Sequence, residues 1–350
     1  MRKKTIWIDY FLNKKNKTGV AIYTDNIVAM LDSDEYTTEL FTFKFLEKFP
    51  KLKFKAVFYF IWLNTFFYIK TLLKKPDIIM CTKNIMPFLK VKDVKYISTI
   101  HDIGVDHNYA GISKISVYIC KFFNYIIAKR ADIILTVSEC SKKEISNKYS
   151  NLTSDKIKIT YNTVPQHFLC TKENEFQKFD IKKQKYILAV GEMRKNKNIK
   201  SLIEAFNLIK NNYPDIKLVL VGNLHRDASF LNNDCKNIVF TGYVNNMELV
   251  SLYKNALLYV FPSLYEGFGI PIIEAQYSNC PVLCSDIPVF REVAGNGAEF
   301  CTPDSNGIAT KLEYLINNEQ RRLELISLGQ ENVKRFSIEK IAQQLKEVLR

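Results

Sequence analysis

Two carboxylates and a run of backbone amides are the richest chemistry in the sequence. The stretch Phe261-Pro262-Ser263-Leu264-Tyr265-Glu266-Gly267-Phe268-Gly269-Ile270-Pro271-Ile272-Ile273-Glu274-Ala275 reads as a strand end, a loop with two glycines and a helix opened by Pro271. Gly267 and Gly269 remove the side chains that would hold a ligand away from the backbone. Pro271 suits a first helical turn, where its missing N–H costs nothing. The free amides and positive dipole end of such a helix favour a phosphate. Glu266 lies in the loop and Glu274 in the first turns of the helix, so both carboxylates can face one ligand. Taken alone, the stretch also fits a glycine turn whose following glutamate complements the helix dipole.

Three other places offer polar groups at the ends of strands. Gly191 closes an apolar run and is followed by Glu192-Met193-Arg194-Lys195-Asn196-Lys197-Asn198, a basic turn before a helical segment. His101-Asp102 follows the apolar segment that ends at Ile100. Gly19 precedes a helix after the first strand. Each has an ordinary reading beside the functional one: an exposed basic turn, a structural strand-end histidine, a helix-start glycine. No G-x-G-x-x-G fingerprint is present, which argues against a dinucleotide-dependent dehydrogenase. Asp32-Ser33-Asp34 matches the Asp-x-Asp string of metal-dependent transferases, but its polar setting after a helix reads as a turn.

These residues need a scaffold, and the chain predicts one. At 350 residues it is long enough for two domains, each able to bury a core. Short β-rich runs alternate with helical ones, the signature of parallel sheets covered by helices. Strands are predicted over 5–10, 37–43, 77–82, 95–100, 132–137 and 156–161, then over 186–191, 217–221, 238–242, 257–261, 281–285 and 299–302. Helices are predicted between them, including single helices over 54–73 and 113–129. The rhythm fails over 165–185, which is taken as a linker. The expected fold class is therefore α/β: two Rossmann-like doubly wound domains facing a cleft formed by the carboxyl ends of their strands. The domains are expected over 1–164 and 186–336, with the final helix, 337–350, returning to the first.

Composition narrows the partners. The formal charge is +14, from 50 Lys and Arg against 36 Asp and Glu, so anionic partners are expected. The eight cysteines are scattered without the spacing of a zinc site, which suggests small buried hydrophobes in a reducing cytoplasm. The run Ala56 to Ile69, AVFYFIWLNTFFYI, has basic residues on both sides. It is shorter than the roughly 20 residues of a membrane-spanning helix, leaving a buried or an interfacial role. A second basic aromatic segment spans Lys114 to Arg130.

The Glu266–Glu274 stretch resembles the E-x7-E signature of retaining glycosyltransferases of family four, which have the two-domain GT-B fold. The resemblance covers nearly the whole chain. It implies that Glu266 contacts the transferred sugar and that Glu274 binds the ribose hydroxyls, since a carboxylate accepts two hydrogen bonds at once. It assigns the diphosphate to the backbone of Gly267, Phe268, Gly269 and Ile270. Lys197 falls at the family's diphosphate lysine; the preceding family Arg is Asn196 here, so Arg194 is the candidate second cation. Gly19 matches the glycine that lets the backbone approach the ligand, His101 the histidine beside the reacting sugar carbon, and the Gly242-Tyr243-Val244 turn the reader of the base.

What the resemblance implies is a retaining hexosyltransferase. It would use a nucleoside diphosphate sugar, GDP-mannose or a relative, and a glycan or lipid-linked acceptor of bacterial surface polysaccharide such as O-antigen or capsule. No metal or other cofactor is expected, because Lys197 and helix amides can carry the leaving-group charge. The protein is expected in the cytoplasm, peripheral on the inner face of the plasma membrane through its anionic lipids. A GT-B-like sugar-nucleotide epimerase or phosphorylase is the enzymatic alternative. A basic nucleic-acid-binding protein is the other, without a zinc finger, RNP motif or basic tail to support it, so no nucleic-acid partner is expected.

Overall fold

A computed structural model describes residues 2–10, 19–31, 35–42, 55–107, 113–170, 185–192, 194–223 and 237–350. The chain divides into two compact units: Met1–Asp106 with Ile112–Asn162 and Ile338–Arg350, and His107–Gly111 with Thr163–Ser337.

The first unit runs β1 (Lys4–Asp9), α1 (Gly19–Leu31), β2 (Tyr36–Phe41), α2 (Lys55–Leu63), α3 (Phe66–Lys74), β3 (Ile78–Cys81), β4 (Lys95–Thr99), α4 (Lys114–Arg130), β5 (Ile133–Thr136), α5 (Glu139–Lys148) and β6 (Ile157–Ile159). Its six strands are parallel in the order β2-β1-β3-β4-β5-β6. Helices shield both faces of such a sheet, which is why β3 reads as the unbroken buried run IIMC. Trp7, Ile79, Tyr96, Phe123 and Ile127 form the centre of its core.

The second unit runs α6 (Gln166–Cys170), β7 (Lys185–Val190), α7 (Ile199–Ile209), β8 (Ile216–Val221), β9 (Ile238–Gly242), α8 (Asn246–Asn255), β10 (Leu258–Phe261), α9 (Ile270–Tyr277), β11 (Val282–Ser285), α10 (Pro288–Ala294), β12 (Glu299–Cys301), α11 (Ser305–Asn317) and α12 (Glu319–Val333). Its parallel order is β12-β11-β10-β7-β8-β9. The chain first moves outward from β7 through β8 and β9, then returns to β7's other side with β10. That reversal is a topological switch point, the place in an open α/β sheet where the loops at the carboxyl ends of the strands bind ligands. The last helix, α13 (Ile338–Leu349), belongs to the first unit, where the Lys4 and Lys95 ammonium groups donate to the carbonyls of Leu349 and Val348.

Local chemistry explains where the elements begin and break. Asn245 and Glu248 form a reciprocal capping box at the start of α8. The apolar run at 54–73 is two helices rather than the single one expected. Asn64 breaks it: its Nδ2 donates to the Phe60 carbonyl at 2.8 Å, and its Oδ1 accepts the amides of Phe88 and Leu89 at 2.7 and 2.9 Å. Thr65 adds a bond to the Ile61 carbonyl at 2.9 Å. Short polar side chains of this kind compete with the helix ladder, and here they also tie a distant loop to the break. Within the stretch expected as linker, residues 166–170 form α6, and Phe168 is buried with its ring 5.9 Å from that of Tyr253. The helix α10 was not anticipated in the sequence pattern, because at seven residues it is too short to show periodicity.

Candidate functional site

In the second unit the reversal of strand order brings two loops together. The turn after β7 ends with Asn198 in the left-handed region, φ 55°, before α7 begins. The loop after β10 hydrogen-bonds to it through the Leu264 amide, which donates to the Asn196 carbonyl at 2.8 Å. Asn196 Nδ2 adds a long bond to the Tyr265 carbonyl at 3.4 Å. Asn196 thus fastens the two loops, a role that sequence reading did not assign.

The fastening sets Lys197 Nζ 2.5 Å from Glu266 Oε1, although the residues lie 69 positions apart. The ammonium also sits 5.0 Å from the centroid of the Phe261 ring. Both side chains are largely shielded, so the pair is stronger than a surface salt bridge and its partners are held in place. Arg194 is not part of this cluster. Its guanidinium pairs with Glu192 at 2.8 Å, with both side chains nearly half exposed.

Beyond Glu266 the loop packs itself down by one side chain. Phe268 is buried with its ring edge-on to Phe336 at 5.4 Å, which anchors the backbone of Gly267 and Gly269. Gly269 has φ +107° at the start of α9, and a Cβ there would meet the Phe290 ring at 3.0 Å. Ile270 and Pro271 then open the helix. Glu274 follows one turn in, buried, with its Oε2 accepting the Tyr253 hydroxyl at 3.0 Å. Loss of water pushes the Glu274 pKa up to about 7, against the opposing pull of the Tyr253 bond.

The carboxyl ends of β7, β8 and β9 carry a row of glycines. Gly191, Gly222 and Gly242 have φ values of 144°, 133° and 66°. The Gly191 amide donates to Val221, and that of Gly222 to Gly242, both at 2.9 Å. A Cβ on Gly222 would fall 2.1 Å from the Gly191 carbonyl oxygen. Val244, two residues past Gly242, is buried. Gly222 and Tyr253 escaped sequence reading; the signal for Gly222 was an apolar strand that stops on a glycine, the same signal that marked Gly191.

The first unit supplies a separate cluster at the carboxyl ends of its central strands. His101 Nε2 lies 2.8 Å from the Thr82 carbonyl oxygen. A carbonyl only accepts, so Nε2 carries the hydrogen and Nδ1 of the neutral ring is left as an acceptor. The Tyr23 ring stands edge-on to the imidazole, with centroids 4.9 Å apart. Crowding by protein atoms strips water from the ring and pushes its pKa down to about 4, outweighing the Thr82 bond. Thr82 is fixed in turn by Asp9, whose Oδ1 accepts its amide at 2.6 Å and its hydroxyl at 2.7 Å. Asp9 is fully buried, and desolvation raises its pKa against the favourable field of Lys83. Thr24 of α1 meets the Thr82 hydroxyl at 2.8 Å, so the helix that starts at Gly19 is tied to the same network. Asp102 caps the following turn by accepting the Gly104 amide at 2.8 Å. The residues at 11–18 and the Asp32-Ser33-Asp34 string lie outside the described residues.

Comparisons with known proteins bear on the family and the fold. The family model described as "Glycosyl transferases group 1" matches residues 171–332, and that described as "Glycosyltransferase Family 4" matches residues 17–167. The O-antigen chain mannosyltransferase RfbU of Salmonella typhimurium is 33% identical over 76% of this chain and 71% of its own. Among solved structures, sucrose-phosphate synthase from Thermosynechococcus elongatus shares the fold with a TM-score of 0.75 at 18% identity, over 99% of this chain and 98% of that one. Anabaena HepE, solved with UDP and glucose, has a TM-score of 0.69 at 15% identity over 99% of both chains.

Proposed function

Because this chain belongs to the group 1 glycosyltransferases of family four, with the GT-B fold class, we propose that it transfers mannose or a related hexose from a nucleoside diphosphate sugar. The acceptor is a glycan or lipid-linked intermediate of a bacterial surface polysaccharide, and the anomeric configuration is retained. The observation that carries this reading is the Lys197–Glu266 pair, set at the strand reversal directly before the glycine loop and the buried Glu274. The mannosyl donor is supported by the similarity to RfbU, an O-antigen chain mannosyltransferase. The scattered spacing of the eight cysteines supports a reducing, cytoplasmic setting.

In this reading the diphosphate takes the Lys197 ammonium and the amides of Gly267 to Ile270. Glu266, released from its ion pair, accepts a hydroxyl of the sugar. Glu274 ionises and accepts the two ribose hydroxyls. The bond from the anomeric carbon to the diphosphate oxygen breaks through an oxocarbenium-like state, and negative charge grows on the leaving oxygen. Lys197 and the helix amides stabilise that charge where it develops. The acceptor hydroxyl forms the new bond on the same face and gives its proton to the departing phosphate oxygen. In the first unit His101 is a neutral ring with Nδ1 left as an acceptor, a hydrogen-bonding group rather than a proton donor.

The test is calorimetry and transfer assay with GDP-mannose, GDP and UDP-hexoses on the wild type and the Lys197→Ala, Glu274→Ala and Glu266→Ala variants. The first two should lose most nucleotide affinity. Glu266→Ala should lose transfer while keeping affinity for the bare diphosphate, because its partner is the sugar. If no sugar nucleotide binds tighter than about 1 mM, the weak end of ordinary enzyme affinities, the reading fails. Equal loss of sugar-nucleotide and bare-diphosphate affinity in Glu266→Ala would reverse the two glutamates' roles.

A further inference from the structure

One side of the first unit carries a surface that the transfer chemistry does not use. On α4 the residues divide cleanly by helical face. Phe123, Ile126 and Ile127 are buried, while Ile115, Tyr118, Phe122 and Tyr125 recur at three- and four-residue steps on the outside. The same division holds on α2 and α3. Tyr59, Leu63 and Phe67 enter the core, and Phe58, Ile61, Phe66 and Ile69 face out. Tyr118 and Phe66 are each 73% exposed, far beyond what packing against their own sheet would leave.

These faces are joined. The Phe60 ring of α2 lies 6.1 Å from Phe122 and 5.2 Å from Phe123 of α4. Between the helix ends sit Phe88 and Leu89, also exposed, and their loop is bound from both sides. Asn64 accepts their amides, and Arg130 both donates to the Phe88 carbonyl at 3.1 Å and stacks on its ring at 4.8 Å. Aromatic side chains bury about 150–250 Å² each, so Tyr118, Phe122, Tyr125 and Phe66 alone leave roughly 400 Å² in water. A whole monomer's largest apolar patch is about 300–600 Å², and the aliphatic neighbours come in addition.

Charge identifies the occupant. Four basic residues lie on α4 and two on α3, and neither helix nor α2 contains an Asp or Glu. Lys70 lies with its ammonium 4.6 Å from the Trp7 ring centroid, and the exposed Lys74, Lys114 and Lys129 stand on the helices that carry the apolar stripe. A second copy pairing through this face would set two basic surfaces against each other. An anionic lipid surface answers both features at once, with headgroups for the lysines and the acyl boundary for the aromatic rings. Among the described residues no helix is long and apolar enough to cross a membrane, so the contact is lateral.

We propose that the outer faces of α2, α3 and α4, with the Phe88–Leu89 loop, dock the protein on an anionic bilayer. The inference stands on this surface alone and is tested without any sugar nucleotide, so its failure leaves the transferase reading untouched. Purified protein is floated with vesicles of phosphatidylcholine containing phosphatidylglycerol and with vesicles of phosphatidylcholine only. The wild type should be recovered with the anionic vesicles at low salt, at least about tenfold less at high salt, and about tenfold less with the neutral ones. A Phe66→Ser, Tyr118→Ser, Tyr125→Ser variant should lose about tenfold in recovery with an unchanged melting temperature. Should that variant unfold, Lys114→Glu with Lys129→Glu changes only surface charge and must show the same loss. Failure of the wild type to float, equal recovery on both lipids, or a folded variant that floats like the wild type overturns the proposal. So does a dimer in sedimentation velocity that the triple variant dissociates in the absence of vesicles.

Discussion

Glu274 holds its carboxylate inside the second unit, where loss of water opposes ionisation and the Tyr253 hydroxyl only partly compensates. Its folded pKa of about 7 lies above the ordinary 4.5. A carboxyl raised in this way contributes fully to stability below the unfolded value, and the contribution fades as pH rises through the folded one. Above pH 7 the ionised group therefore costs the fold about 3 kcal/mol, using 1.36 kcal/mol per pH unit. In the proposed reading this cost is offset by function, since an ionised Glu274 is what two ribose hydroxyls need. Glu274→Gln preserves an acceptor for Tyr253 and removes the charge. Melting curves should show it matching the wild type near pH 4 and exceeding it by several degrees at pH 8, while calorimetry shows weaker nucleotide binding. Identical melting at pH 8 would mean that the carboxylate is not strained.

At the scale of elements, the turn that carries Lys197 depends on how closely β7, β8 and β9 can end together. Gly222 has no room for a side chain, since its Cβ would sit 2.1 Å from the Gly191 carbonyl oxygen, on backbone that cannot swing aside. Gly242 also has positive φ, yet nothing lies within 4 Å of its would-be Cβ. The pair makes an internal control. Gly242→Ala should cost only the left-handed conformation, about 1 kcal/mol. Gly222→Ala should cost about 3 kcal/mol or more through overpacking and strain, and should displace the turn that carries Lys197. Urea unfolding separates the two, and equal losses would show that the strand ends yield freely. Asn64 works at the same scale in the first unit: by breaking one aromatic run into α2 and α3 it turns two short helices through different faces and holds the Phe88 loop between them.

Across the whole molecule, the positive excess is put to two different uses. In the second unit the half-buried Lys197 is paired with Glu266, and in the proposed reading it meets a diphosphate. In the first, lysines line an exposed aromatic surface. Lys197 and the amino end of α9 together can balance the leaving group's charge, so the proposed transfer needs no divalent ion. Turnover measured with excess EDTA should stay within about twofold of that with magnesium, since no step draws on metal charge stabilisation. Abolition by EDTA and recovery with magnesium or manganese would overturn this, and would direct attention to the Asp32-Ser33-Asp34 string.

Much of this molecule is legible in its sequence because the relevant signals are local. Continuous apolar runs broken by helical stretches specify parallel sheets, since a strand covered on both faces has no polar side to show. The glycines around Phe268, with Pro271 after them, specify a loop feeding a helix, and the places of Glu266 in that loop and Glu274 on that helix are legible with it. What lies between distant segments is not local, and only tertiary structure decided it. Lys197 meets Glu266 because the strand order reverses between β7 and β10. Asp9 fixes Thr82 and through it the tautomer of His101, because β1 and β3 are neighbours in the sheet. The aromatic helices are the sharpest case. Their sequences are apolar on nearly every face, so periodicity alone does not separate the rings that enter a core from those that meet the outside. The sheet beneath makes that choice, burying Phe123 and Phe67 and leaving Tyr118 and Phe66 in water.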